Sequence, residues 1–140
     1  MSRSGYSEDY DEIFPNAGFL YAKNIERAVK GKRGRKFFRD LLAALDAMPV
    51  KRLISEDLVR DGEMCALGAL GVARGLDMSG LHPDQADIVA VEFGIPECLA
   101  REVVFQNDEC GSLWRPGHES PETRWQRMRA WVESRIETTA

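Results

Sequence analysis

Histidine is nearly absent, with two in 140 residues, and cysteine is scarce, with three. His82, His118, Cys65, Cys98 and Cys110 have neither zinc-ribbon spacing nor that of any other recognisable metal set, so no metal or cofactor is expected. An odd number of cysteines, in a chain long enough to build its own core, points to free thiols rather than a disulfide framework. Long apolar runs are missing as well: the strongest, Cys65 to Ala73, holds two glycines and falls far short of the roughly 20 residues that span a bilayer. The opening MSRSGYSEDYDE has no apolar stretch behind Arg3 and so lacks the pattern of a secretory leader, which predicts a cytoplasmic protein with no membrane partner. A phosphate-cradling loop is also lacking, because GALG and GVARG carry no lysine and lie in an apolar stretch rather than after a strand.

What is present fits one ordinary soluble domain. Apolar residues make up 44% of the chain, enough for a core, and 19 Lys and Arg against 23 Asp and Glu give a net charge of −4. Residues 1–15 form a separate acidic-aromatic segment, with Glu8, Asp9, Asp11 and Glu12 set among Tyr6, Tyr10, Ile13 and Phe14. Residues 16–140 read as a single helical domain.

Apolar spacing predicts about six helices in that domain. Asn16 is an N-cap, Phe19, Ala22, Ile25 and Val29 form one stripe, and Gly31 ends the first helix before a break, KGKRGR. Phe37, Phe38, Leu41, Leu42, Leu45 and Met48 mark a second helix, closed by Pro49. Between 51 and 63 the pattern is weak: Leu53 and Ile54 suit a short extended piece, and Asp61-Gly62 is a turn signal, but no regular sheet is expected. CALGALGVARG predicts a buried third helix whose glycines admit a neighbouring backbone, with Gly75 as C-cap. Pro83 opens a fourth helix that Gly94 stops, and a fifth runs from Pro96 to Asn107-Asp108. Ser120 and Pro121 open a sixth, with Trp125, Met128, Val132 and Ile136 on its stripe. The expected fold is therefore all-α, with one short extended segment near 51–63.

Charge is segregated along the chain. Lys30, Lys32, Arg33, Arg35, Lys36 and Arg39 cluster at the first inter-helix turn, where they suit an acidic protein surface, a nucleic-acid backbone, or a solvated turn partly neutralised by the acidic N-terminal segment. The spacing of Ala90, Phe93, Gly94, Ile95 and Val103 resembles a helix-turn-helix, but residues 82–111 carry seven acids against Arg101, which would repel phosphates. Direct nucleic-acid binding is disfavoured on that ground. Cys65, at a helix N-terminus where the macrodipole lowers a thiol pKa, is the one nucleophile-like feature. With His82 or His118 as base and Asn107 as orienter it would make a Cys-His-Asn set, against the plainer reading of a small buried core residue. Asn107-Asp108 reads more simply as a pair satisfying local backbone at a helix end. Trp114 and Trp131 suit either partner anchors or core, and nothing in the sequence sets an oligomeric state.

The opening MSRSGYSEDY, FFRDLLAALDAMPVKRLI, DGEMCALGALGVARG, FGIPECLAREVVFQNDE and ETRWQRMRAWV together resemble a family of small uncharacterised proteins of tailed bacteriophages and bacterial prophages. Cys-Ala-Leu-Gly-Ala at 65–69 and Asn-Asp-Glu at 107–109 also resemble broader bacterial domains of unknown function. EIFPNAGFLYAKN departs from the family pattern, so the likeness covers the first helix least. The resemblance implies a phage accessory protein acting in a bacterial cytoplasm, with no reaction and no catalytic residue attached. Small phage proteins commonly bind and block host machines, restriction and CRISPR effector complexes among them. The expected function is thus non-enzymatic: binding and modulating or inhibiting a host protein complex, as anti-CRISPR and other anti-defence proteins do. Its contacts would be Glu8, Asp9, Asp11, Glu12, Asp108 and Glu109 against basic channels, or Lys32, Arg33, Arg35 and Lys36 against an acidic surface.

Overall fold

Phe37, Phe38, Leu41 and Leu45 recur at three- and four-residue spacing, and in the structure each is nearly or wholly removed from solvent on one face of a helix. The structure is a computed structural model and describes residues 17–110 and 119–138. Its elements are α1 (Ala17–Lys30), α2 (Lys32–Ala47), the strands β1 (Val59–Arg60) and β2 (Glu63–Met64), α3 (Ala66–Arg74), α4 (Ala86–Phe93), α5 (Glu97–Glu109) and α6 (Pro121–Thr138). The helices share one apolar core, so these residues form a single all-α domain. No helix among the described residues is long and apolar enough to cross a membrane.

α2 and α5 are the two central posts. α1, α3 and α6 each pack against both of them, while α4 packs against α5. On the core faces lie Ile25 and Val29 of α1, Leu67 and Leu70 of α3, Val89 and Phe93 of α4, Leu99 and Val103 of α5, and Met128 and Val132 of α6. Tyr21 Oη donates to Glu102 Oε2 at 3.2 Å, joining α1 to α5.

Several sequence expectations need correction. KGKRGR is not a break: helix resumes at Lys32, and only Gly31 stands between α1 and α2. The reason is tertiary, because a Cβ on Gly34 would lie 1.8 Å from the Ala28 carbonyl oxygen, so this glycine lets the two helices touch. Ala22 is exposed rather than on the buried stripe of α1. Pro83 is buried in a turn, with α4 beginning at Ala86 behind an N-cap Gln85. The extended piece falls at 59–64 instead of Leu53-Ile54, as an antiparallel hairpin pairing Val59 with Met64 and Arg60 with Glu63. Asp61 (φ 53°) and Gly62 (φ 80°) both turn left-handed, as a two-residue I′ hairpin demands. The N-cap Asn16 and residues 1–15 lie outside the described residues.

Candidate functional site

At the start of α3, Cys65 has extended backbone (φ −85°, ψ −176°), and its sulfur accepts from the Gly68 amide at 3.4 Å. Its own amide donates to Leu58 O at 3.0 Å, and Gly68 lets that carbonyl approach, since a Cβ there would sit 1.9 Å from the same oxygen. The side chain is buried. Burial pushes the thiol up to about 12, the Gly68 amide offsets only part of this, and the Asp108 charge raises it further. Desolvation therefore outweighs the helix terminus that was expected to lower it, and Cys65 serves as cap and core residue.

Asn107 does come close to Cys65. From the last turn of α5 its Oδ1 accepts from the Ala66 amide at 3.1 Å, and its Nδ2 donates to Ile54 O at 2.9 Å and Asp108 Oδ1 at 2.7 Å. Asp108 Oδ2 in turn accepts from the Glu56 amide at 3.2 Å, at a residue held in left-handed backbone (φ 75°). The expectation that this pair satisfies local backbone is overturned, because its partners lie 41 to 53 residues away. Asn107 is thus a clamp joining α5, the start of α3 and the segment before the hairpin. Asp108, expected on a partner surface, has its carboxylate engaged inside the molecule, whereas Glu109 is exposed. His82 is exposed in the connection beyond the other end of α3, so the structure does not assemble it with Cys65 and Asn107. His118 and Trp114 lie outside the described residues, and Trp131 is half-buried edge-on to Phe38 at 5.4 Å. No group of three or more His, Cys, Asp or Glu among the described residues is placed to hold a metal ion.

A second polar assembly has almost no signature in the sequence. Arg127 grips Glu119 through two bonds of 2.7 and 3.0 Å and caps α5 by donating to Gln106 O at 2.6 Å and Asn107 O at 3.2 Å. Buried Arg124 donates to Leu53 O at 2.9 Å and lies 3.4 Å from Glu119, while Leu53 N reaches Pro121 O at 3.0 Å. The only available signal was two arginines three residues apart beside an apolar stripe, and that reads equally well as a solvated face.

The basic cluster is where side chains are left over. Because Gly31 alone separates α1 from α2, the cations of the last turn of α1 meet those of the first turns of α2. Glu26 takes Lys23 at 3.5 Å and Lys30 at 2.9 Å, and Asp40 takes Lys36 at 2.8 Å and Arg74 at 2.9 Å. The Lys30 hydrogen bond, with Lys23 nearby, holds Glu26 below the usual carboxylate range, and Lys36 does the same for Asp40. Arg27, Lys32, Arg33, Arg35 and Arg39 are exposed, with no carboxylate partner among the described residues. This ridge runs against local physics. The first turn of α2 contains no acid, Gly31 offers no side-chain cap, and Lys32 and Arg33 face the positive end of the helix dipole. Acidic residues expose themselves elsewhere, at Asp84, Asp87, Glu92, Glu97 and Glu109.

An open groove of about 270 Å³ lies between the end of α2, the hairpin and α3; Met48, Val50, Met64 and Val72 line it, with Arg52 and Glu63 among its polar residues. Comparison with protein-family models, curated proteins and solved structures finds no match to this chain. Fold and surface define a small all-α domain that carries, among the described residues, an exposed ridge of positive charge at the α1–α2 junction.

Proposed function

We propose that the protein is a phage or prophage accessory protein that works by binding, and modulating or inhibiting, a host protein complex, as anti-CRISPR and other anti-defence proteins do. The observation that carries the binding reading is the ridge of Arg27, Lys32, Arg33, Arg35 and Arg39, five exposed cations with no carboxylate partner among the described residues, where the helix dipole opposes two of them. Such a surface favours encounter with an acidic partner. The phage attribution rests on the sequence resemblance described above. Cys65, capped and desolvated, lends nothing to an enzymatic reading.

The test is capture from bacterial lysate, with and without nuclease treatment, by tagged wild-type protein and by a Lys32→Glu/Arg33→Glu/Arg35→Glu variant. One discrete complex, held by the wild type and released by the variant, is the expected result. A complex held equally by both would move the site off the ridge, and retention that disappears with nuclease treatment would replace the protein partner with nucleic acid.

A further inference from the structure

α4 carries a surface of the opposite sign to the ridge. Its four exposed positions, Asp87, Ile88, Val91 and Glu92, make up one helix face, with the apolar pair between the two acids and Asp84 in the turn ahead of them. We propose that this face binds the α1–α2 ridge of a second copy of the chain, in a closed pair with two equivalent contacts. The inference rests on the ridge as the binding surface and adds its regulation: a second copy covers the ridge until an acidic partner displaces it.

Charge and apolar surface match. The five ridge cations have no carboxylate among the described residues, and Asp84, Asp87 and Glu92 likewise have no cation there. Val91 is 79% exposed and Ile88 44%, while Leu20, also exposed, shares its helix face with Arg27, seven residues on. Each surface therefore offers an apolar contact beside charges that the other can neutralise.

Both surfaces also place charge against the local helix dipole. Lys32 and Arg33 stand at the positive start of α2, and Glu92 stands in the last turn of α4, which holds no basic residue. Neither charge is compensated by its own helix, so compensation must come from outside it. Position supplies the closure. Arg74 donates to Asp40 Oδ2 at 2.9 Å and to Phe93 O at 3.1 Å, so a single guanidinium spans α2 and the end of α4. Arg33 lies seven residues before Asp40, on the same side of α2. Surfaces of opposite sign thus sit side by side, and a twofold axis brings each onto its opposite in the other copy. Little apolar area is involved, so the pair is held by charge and is sensitive to salt.

Sedimentation equilibrium of the full chain tests it, alongside the Lys32→Glu/Arg33→Glu/Arg35→Glu ridge reversal and an Asp84→Lys/Asp87→Lys/Glu92→Lys reversal of α4. The wild type is expected to form pairs at low salt and to dissociate near 1 M salt, where the screening length falls to about 3 Å. Each reversal alone should weaken pairing by about tenfold or more, as the loss of several exposed ion pairs implies. An equimolar mixture of the two reversals should pair again, because each then presents to the other the sign it has lost. A wild type that stays monomeric at low salt, a reversal that pairs as the wild type does, a mixture that stays monomeric, or species larger than a pair would overturn the proposal. A chain that stays monomeric but loses the host complex on α4 reversal would give the α4 face to that complex instead. If no pair forms and only ridge reversal releases the host complex, the pairing falls and the binding reading stands. If the pair forms but neither the wild type nor the α4 reversal, whose ridge is open, captures a complex, the binding reading falls instead.

Discussion

Asn107 and Ala66 are joined by a 3.1 Å hydrogen bond, side-chain oxygen to backbone amide, across 41 residues of sequence. With Nδ2 on Ile54 O, this side chain supplies both a donor and an acceptor to backbone that has turned away from regular pairing. Asn107→Ala would leave the Ala66 amide and the Ile54 carbonyl buried without it, and each such group costs about 1–3 kcal/mol. Urea unfolding should show a loss of about 3 kcal/mol. A loss below about 1 kcal/mol would mean water takes over the clamp.

Cys65 makes the fold sensitive to alkali. Its folded-state pKa of about 12 lies above the unfolded value of about 8.5, so the unfolded chain loses this proton first. The stabilisation is complete below about pH 8.5 and falls by about 1.4 kcal/mol per pH unit above it. Cys65→Ser keeps an acceptor for the Gly68 amide and removes the titration, so its stability should stay flatter between pH 8.5 and 10.5. The same environment predicts that Cys65 resists thiol reagents in the native protein and reacts once urea unfolds it.

Two glycines near the ridge should answer differently to substitution. Gly34→Ala places a Cβ 1.8 Å from the Ala28 carbonyl oxygen and forces α1 away from α2, at a cost of about 2 kcal/mol or more. Gly31→Ser finds its nearest neighbour at 3.5 Å and gains a capping oxygen, so stability should change by only a few tenths of a kcal/mol. Thermal melts of the pair check this directly, and equal behaviour would show that the close approach at Gly34 is not required.

Arg127→Met should destabilise by about 3–5 kcal/mol, because Glu119, only 5% exposed at its side chain, would be left buried beside the weaker 3.4 Å contact from Arg124. Arg127→Lys should rescue little, since an ammonium cannot hold a carboxylate and two carbonyls in one plane. Chemical denaturation of the two variants is the measurement.

On the ridge, stability and binding should move in opposite directions. Lys32→Glu places an acid in the first turn of α2 and should raise stability by a few tenths of a kcal/mol while weakening capture of the partner. A variant that loses stability and binding together would point to a structural role for Lys32.

The helices were legible because burial repeats within one element: the Leu41 and Leu45 stripe, the Gly75 and Gly94 stops (φ 71° and 67°) and the Ser120 cap all show in a few residues of sequence. What misled was tertiary. Gly34 resembles a breaker until Ala28 is seen against it, and Asn107 resembles a local cap until its partners are found in two remote segments. The ridge was visible as charge, but which cations lack carboxylates depends on Glu26 and Asp40, each of which serves two of their neighbours. Arg124 and Arg127 were indistinguishable from solvated arginines because their acceptors, Leu53 O and Gln106 O, are backbone atoms of distant segments.

At Gly68 the Leu58 oxygen occupies the space a side chain would need. Every other amino acid carries a Cβ, so no chemically mild replacement exists there, and a saturation library selected only for folding should return glycine at 68 and broad variety at exposed Val72 on the same helix. The hairpin and α3 therefore meet at a point where sequence drift is forbidden, while the helix around it remains free to change.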